Sequence, residues 1–119
     1  MFVKDMRECN SFVAGDATVL RELLHPAKDD VAVQFSVAHA TLRTGETSLP
    51  HRLCTAELYY VLSGTGTMHI NDEQCSVRQG QIVYIPPGAR QWIRNTGTMD
   101  LTFLCIVEPA WRSEDEEIL

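Results

Sequence analysis

Two residues in the middle of the chain, His51 and Glu57, are of types that bind first-row transition metals. They lie in the stretch GETSLPHRLCTAELYYVLSG, residues 45 to 64, beside a run of aromatic and branched residues. Leu53 lies between them and shares a face with His51 if the segment is extended, but its hydrocarbon side chain cannot bind a metal. The stretch is therefore either a metal site that lacks one ligand or a barrel wall that never held a metal.

A second polar group follows a Pro-Pro-Gly sequence further along the chain. Two prolines in a row end a strand, because proline has no N–H to donate to the ladder, and Gly88 then permits a turn. In the strand after this turn, Gln91 and Asn95 share one face and Trp92 lies on the other. We therefore expect Trp92 to pack between sheets or subunits.

The composition limits the classes of function that the chain can have. It has 119 residues, enough for one domain with one core, and a formal net charge of -6. No segment is rich in Lys or Arg, which argues against binding to nucleic acid or to an anionic membrane surface. The chain has no run of about eighteen apolar residues, and its first residues are too polar for a signal peptide, so we expect a soluble cytoplasmic protein. Its four cysteines form no CxxC pair and are expected to be reduced.

The elements that must position these residues are predicted to be strands. From about Val31, segments of β-branched and aromatic residues recur roughly every eight to twelve residues, separated by Gly, Pro and Asn, as in an antiparallel sandwich or barrel. The earlier segment DATVLRELLHP suits a short helix capped by Asp16 or a strand, and we favour the strand. We divide the chain into residues 1–30, which join the barrel, residues 31–109, which form it, and an acidic tail at 110–119 in which Trp111 caps the barrel or a subunit contact.

Two spaced motifs in this β-rich region resemble those of the cupin superfamily. The first has Gly, His, His, Glu and Gly at fixed intervals, and the second has Gly, Pro, Gly, His and Asn. The spacing agrees throughout, but Leu53 stands in place of the second His of the first motif and Gln91 in place of the His of the second. The matching positions are Gly45, His51, Leu53, Glu57 and Gly64, followed by Gly80, Pro86, Gly88, Gln91 and Asn95.

The resemblance implies an all-β, single-domain cupin jelly-roll barrel, small and of the cupin 2 type. Such barrels have six to eight strands, are open at one end and often form homodimers. In members that bind a metal, three His and one Glu hold a divalent ion inside the barrel. Because two of those His positions are substituted here, the ligand set that the resemblance implies shrinks to His51, Glu57 and Gln91.

Two interpretations of that set remain open from the sequence. In the first, His51, Glu57 and the amide oxygen of Gln91 bind Mn, Fe, Ni, Zn or Cu, more weakly than a three-His site, and water or substrate fills the open positions. In the second, His51 hydrogen-bonds to Glu57, Gln91 completes a metal-free polar network, and Leu53 makes the pocket suitable for an organic ligand.

The sequence predicts that a small molecule occupies the barrel. The expected pocket residues are His51, Leu53, Glu57, Gln91, His39 and Tyr59, whereas His25 and His69 are expected at the surface. One hypothesis, which the resemblance implies, is a metal-dependent enzyme of isomerase, lyase or dioxygenase type acting on a small oxygenated substrate. The other is a binding or sensing module without catalysis, since a fold alone does not fix a function.

Overall fold

The computed structural model describes residues 1–119 and is built almost entirely from strands. Its eleven strands exceed the six to eight that we expected, because several short strands extend the edges of the sheets. Single turns of 3-10 helix at Met6–Glu8 and Ser113–Asp115 are the only helical elements. The strands are β1 (Ser11–Val13), β2 (Val19–Leu24), β3 (Ser36–Leu42), β4 (His51–Leu53), β5 (Ala56–Ser63), β6 (Thr65–Ile70), β7 (Glu73–Arg78), β8 (Ile82–Ile85), β9 (Gln91–Asn95), β10 (Leu101–Glu108) and β11 (Glu116–Ile118).

The strands form two antiparallel sheets that face each other. One sheet has six strands in the order β1-β2-β3-β10-β5-β8, and the other has five in the order β11-β4-β9-β6-β7. Neighbours in the sheets are mostly distant in sequence, as when β10 pairs with both β3 and β5. This arrangement confirms the predicted all-β jelly-roll barrel. No helix in the structure is long and apolar enough to cross a membrane.

The first long strand settles the ambiguity of the N-terminal segment in favour of a strand. β2 pairs with β3 in the six-stranded sheet. Asp16 does not cap a helix. Its Oδ1 instead accepts hydrogen bonds from the backbone N–H of Thr18, at 3.1 Å, and from the Thr18 hydroxyl, at 2.6 Å. These two bonds fix the turn that leads the chain into β2.

The core follows the two-residue period of the strands. In β10, Leu101, Phe103, Cys105 and Val107 are buried and the residues between them are not. The largest fully buried side chains include Phe103, Leu101, Leu42 and Val61. They lie toward one end of the barrel, which is packed solid. Cys105 is part of this core.

Polar residues at this packed end have complete sets of partners. The side-chain amide of Asn95 donates to the carbonyl oxygens of Leu42 and Met99, both at 2.9 Å, and its Oδ1 accepts from the Gly97 N–H at 2.9 Å. Gly64 lies at φ +85°, and a Cβ there would be 2.6 Å from the Asp100 carbonyl oxygen. These two motif positions therefore serve the close packing of turns rather than chemistry.

Two sequence-based expectations about histidines are corrected by the structure. His25 is buried rather than at the surface, because its Nδ1 accepts from the Ala27 N–H and its Nε2 lies 2.8 Å from the Trp111 carbonyl oxygen. His69 is half-buried, and its ring stacks on Trp92 with centroids 4.5 Å apart. Trp92 accordingly packs on the outer surface of the five-stranded sheet and not between the two sheets.

Candidate functional site

A cavity of about 380 Å³ occupies the end of the barrel opposite the packed core. Its wall combines apolar and polar side chains from β1 to β5, from β10 and from the segments near the two chain ends. The apolar contributors include Phe12, Val13, Leu20, Val37, Leu53, Val107 and Trp111. The polar contributors include Asp16, Glu22, Lys28, Ser36, His51, Glu57, Tyr59 and Glu116. An apolar cavity with a few convergent polar groups is the usual form of a small-molecule site.

His51 presents one ring nitrogen to this cavity. β4 places it beside Gln91 of β9 and Ile118 of β11. Its Nδ1 lies 2.8 Å from the Leu49 carbonyl oxygen. Because a carbonyl only accepts, Nδ1 carries the proton and the neutral ring has its lone pair on Nε2. Nε2 lies 3.7 Å from Oδ2 of Asp16, close enough for that carboxylate to stabilise a protonated imidazole.

Glu57 is buried in the cavity wall and is incompletely paired. Its side chain is on the inner face of β5, the residue is 6% exposed, and Oε1 has no hydrogen-bond partner. Burial raises the pKa of Glu57 to about 8; the neighbouring Gln91 amide lowers the pKa, and the carboxylates of Asp16 and Glu116 raise it further. At neutral pH the carboxyl group is therefore mostly protonated and able to donate a proton.

Gln91 and Tyr59 form a separate hydrogen-bonded pair. The Tyr59 hydroxyl donates to Oε1 of Gln91 at 3.1 Å, and burial raises the pKa of Tyr59 well above its usual value. Tyr59 lines the cavity, whereas Gln91 is fully buried outside the set of lining residues, with Nε2 unpartnered. The hydrogen bond from His51 to Glu57 that the metal-free network required is not formed: Nδ1 of His51 bonds to the Leu49 carbonyl oxygen, and Nε2 lies 3.7 Å from Asp16.

His39 lies away from the cavity. In β3 the inward positions are Ser36, Ala38, Ala40 and Leu42, so His39 has the opposite parity and is on the outer face of the sheet. There it is opposite Arg21 of β2, and burial and the Arg21 charge lower its pKa. Of the predicted pocket residues, the structure thus brings together His51, Leu53, Glu57 and Tyr59, with Gln91 behind them.

Two carboxylates of the cavity, Asp16 and Glu116, were not predicted from the sequence. The sequence pattern suggests a helix cap at Asp16 and no more than an acidic tail at Glu116. Glu116 reaches the cavity because β11 pairs with β4, which places it opposite Leu53, and its Oε2 accepts from the Trp111 indole N–H at 2.8 Å. Neither residue belongs to a spaced motif, and only the pairing of distant segments reveals them.

The donor atoms around the cavity do not fit a tightly held divalent metal. The structure has no group of three or more His, Cys, Asp or Glu side chains arranged to hold a metal ion. Leu53 adds hydrocarbon where a ligand would be required, and the Gln91 oxygen already accepts from Tyr59. Of the three ligand residues that the resemblance implies, only His51 and Glu57 therefore have a free donor, which is fewer than such a site needs.

Comparisons with known proteins agree with this architecture. The family model of the cupin domain matches residues 38–107. The chain is 38% identical over 109 residues to the uncharacterized protein MJ1618 of Methanocaldococcus jannaschii, covering 91% of this chain and 86% of that protein. It is 32% identical over 103 residues to a mannose-1-phosphate guanylyltransferase of Escherichia coli, covering 82% of this chain but 22% of that enzyme. The chain thus spans about a fifth of the guanylyltransferase.

Solved structures extend the similarity at the level of the fold. The structure of Pac13, described as a unique nucleoside dehydratase, superposes with a TM-score of 0.80 at 18% identity, covering all of this chain and 91% of that one. A predicted oxalate decarboxylase from Thermotoga maritima superposes with a TM-score of 0.79 at 23% identity, covering 91% and 99%. With its family match, its two facing sheets and its cavity at the open end, this chain belongs to the cupin family.

Proposed function

We propose that the cavity binds a small oxygenated organic molecule and that His51 and Glu57 transfer protons on it, in a reaction of isomerase or lyase type. One observation carries this proposal. Glu57, whose buried Oε1 has no hydrogen-bond partner, and His51, whose Nε2 has a free lone pair, line the same cavity. Buried polar groups are nearly always paired, so an incompletely paired carboxyl in a cavity wall indicates a place for a ligand.

The two groups suit opposite roles in proton transfer. His51, neutral with its lone pair on Nε2, takes a proton from a carbon next to a carbonyl or hydroxyl group. Glu57, protonated at neutral pH, gives a proton to the developing alkoxide or to the hydroxyl that leaves as water. Asp16 stabilises the imidazolium that forms. In an isomerisation, His51 then gives its proton to the adjacent carbon while the Glu57 carboxylate takes the proton of the adjacent hydroxyl. In a dehydration, the Glu57 proton leaves in the water formed, and the proton on His51 passes to Glu57 through solvent before the next turnover.

The relatives support small-molecule chemistry in this fold. The solved structures of similar shape include a nucleoside dehydratase and a polyketide cyclase, and one such structure holds uridine. Each of them is less than 25% identical to this chain, so the support concerns the use of the barrel and not the substrate.

Solvent deuterium exchange tests the proposal on several classes of substrate at once. The protein is incubated in ²H₂O with a panel of hydroxy-ketones, hydroxy acids and aldoses, and loss of C–H signals is followed by proton NMR. We expect exchange in at least one compound, reduced at least a hundredfold by His51→Gln or Glu57→Gln. His69→Gln and Glu73→Gln, outside the cavity, are the matched controls. Exchange that survives both cavity substitutions would contradict the proposal, and binding without exchange would favour a sensing module.

A metal-dependent form of the activity has one observation in its favour. The Leu49 carbonyl fixes the His51 tautomer and directs Nε2 to the cavity, as the acceptors behind metal-ligating histidines do. Metal analysis by plasma mass spectrometry, on protein purified without chelator and beside His51→Ala, separates the two forms. Near-stoichiometric metal that is lost in the variant would make His51, Glu57 and Gln91 ligands and would replace the metal-free proposal.

We also propose that the protein forms a homodimer through the outer face of the six-stranded sheet. Leu104, Tyr60 and Ile82 lie side by side on neighbouring strands of that face. Ile106, Leu58 and Tyr84 form the adjacent row. A continuous apolar surface of this kind is typical of subunit contacts.

Size-exclusion chromatography with light scattering tests the dimer. We expect a dimer for the wild type and a monomer for Tyr84→Glu, since a charge in the buried face would be unpaired. Met99→Glu is the matched control, because Met99 and Tyr84 are 58% and 59% exposed and Met99 lies in a loop outside this face. A monomeric wild type, or a Tyr84→Glu dimer, would overturn the assignment.

A further inference from the structure

We infer that the molecule accepted by the cavity carries a positive charge, and that its class is a small oxygenated compound with a protonated amine. The inference rests on the proposed function for the location of the site and adds the charge of the substrate. It comes from the balance of charged groups around the cavity, which favours a cation and disfavours an anion.

The charged groups of the cavity do not balance. Six titratable or charged side chains other than Tyr59 and Cys105 line it: Asp16, Glu22, Lys28, His51, Glu57 and Glu116. The one lysine is already paired, with Nζ 2.7 Å from Oε1 of Glu22. Neither Asp16 nor Glu116 has a lysine or arginine partner, and His51 is 3.7 Å from Asp16. Two carboxylates are thus left without a cation of the protein.

An independent observation marks the same place as a ligand site. Glu57 lines the cavity, is only 6% exposed, and makes no hydrogen bond through its buried Oε1. An ammonium group has three N–H donors and no acceptor, so it suits a site that offers Oδ2 of Asp16, a carboxylate oxygen of Glu116 and an oxygen of Glu57. A phosphate or carboxylate ligand would bring only acceptors to the same atoms.

Aromatic side chains complete the preference for a cation. Trp111 lines the cavity and donates its indole N–H to Glu116. Phe12 lines the same cavity from β1. Cations are attracted to the faces of such rings, and the apolar side chains of Leu20 and Ala38 in the wall suit the hydrocarbon part of an amine.

Isothermal titration calorimetry with three compounds of matched shape tests the inference. Benzylamine is the cation, benzyl alcohol the neutral isostere and benzoate the anion, each titrated at pH 7 and low ionic strength, because salt screens charge effects. We expect benzylamine to bind at least tenfold more tightly than benzyl alcohol and benzoate to show no measurable heat. In Asp16→Asn/Glu116→Gln the preference for benzylamine should disappear.

A matched control separates the cavity charges from net charge. Asp72→Asn/Glu73→Gln makes the same change in net charge at exposed positions and should leave the preference intact. The Asp16→Asn substitution retains the Oδ1 that accepts from Thr18. If the double variant does not fold, Glu116→Gln alone provides a second variant. We expect it to lower the preference for benzylamine at least threefold.

Several results would overturn the inference. They are benzoate binding as tightly as benzylamine, a preference that survives in the double variant, a preference lost in the surface control, or no binding of any of the three. Its failure is distinguishable from failure of the proposed function. Deuterium exchange that depends on His51 and Glu57 without an amine preference removes only the charge inference, whereas an amine preference without exchange removes only the proton transfer.

Discussion

The two ends of the barrel are built from the same strands, yet one is packed solid and the other encloses a cavity. β5 contributes Val61 to the packed end and Glu57 to the open end. β9 likewise contributes Asn95 to one and Gln91 to the other. The alternation of inward and outward residues is the same at both ends, so the difference lies in the residue types at the inward positions.

The polar atoms show what each end is for. All donors and acceptors of the Asn95 side chain are paired at the packed end. The buried side-chain atoms without partners belong to Thr55, Glu57 and Gln91, and Glu57 and Gln91 are at the open end. Unpaired buried polar groups reduce stability, so a fold retains them where a ligand uses them. The packed end stabilises the barrel, and the open end holds its chemistry.

Matched leucine truncations should give the largest contrast between the two ends. Leu101→Ala at the packed end should destabilise the protein by about 4 kcal/mol, because a closed void forms among fully buried side chains. Leu53→Ala at the open end should cost only about 1 to 2 kcal/mol, because its side chain already borders a cavity that water reaches. Urea unfolding of both variants measures the difference, and equal losses would contradict the division of the barrel.

Removal of matched amides should give the next contrast. Asn95→Ala should destabilise by about 3 kcal/mol, since it leaves the Leu42 and Met99 carbonyls and the Gly97 N–H without partners. Gln91→Ala removes one hydrogen bond and one unpaired amide, so its loss should stay near 1 kcal/mol. A larger loss from Gln91→Ala than from Asn95→Ala in the same urea titration would reverse the assignment.

Glu57→Gln should stabilise the protein, in contrast to both amide removals. The folded pKa of Glu57 is raised to about 8, so the folded state retains a proton that the unfolded state releases above about pH 4.5. Stability is therefore highest below that value and falls as the pH rises toward 8. The variant removes this loss and should gain about 3 kcal/mol at pH 7 and little at pH 4.

Thermal unfolding from pH 4 to pH 9 measures this effect. Glu73→Gln, at an exposed position of β7, is the control and should leave the pH dependence of the wild type unchanged. A gain that is the same at pH 4 and pH 8 would show that burial of the carboxyl is not its cause.

Tyr59→Phe should have the smallest effect. The variant keeps the ring that contacts Phe103, with centroids 4.5 Å apart, and loses only the hydrogen bond to Gln91. We expect the free energy of unfolding in urea to fall by about 1 kcal/mol. We also expect weaker ligand binding, because Tyr59 lines the cavity. A change in stability without any change in binding would assign Tyr59 to the packed end.

The sequence predicted those parts of the barrel that depend on local periodicity. Alternation placed His51 and Leu53 on one face of β4 and Gln91 and Asn95 on one face of β9, and the burial of all four agrees. Motif spacing predicted the fold because turns of fixed length require glycine or proline at fixed positions. The strand expected from the N-terminal segment also formed.

The parts that escaped prediction arise from contacts between distant segments. Asp16 and Glu116 meet His51 and Leu53 through a loop and an edge strand whose pairing has no local signal. His25 is buried because it contacts the Trp111 backbone. His39 is on the outer face of β3, and the sequence could not predict this face because the ends of the strand were not known. Motif spacing also remained intact where the ligand residues changed, so spacing alone could not decide the chemistry.

The positions of the two tryptophans give the protein its own optical reporters. Trp111 borders the cavity and donates to Glu116, whereas Trp92 lies on the outer face against His69. A bound molecule would displace water from the Trp111 indole and shift its emission, while the emission of Trp92, outside the cavity, would not change. Fluorescence titration of the unlabelled protein, with Trp92→Phe to isolate one signal, would therefore follow occupancy of the barrel directly.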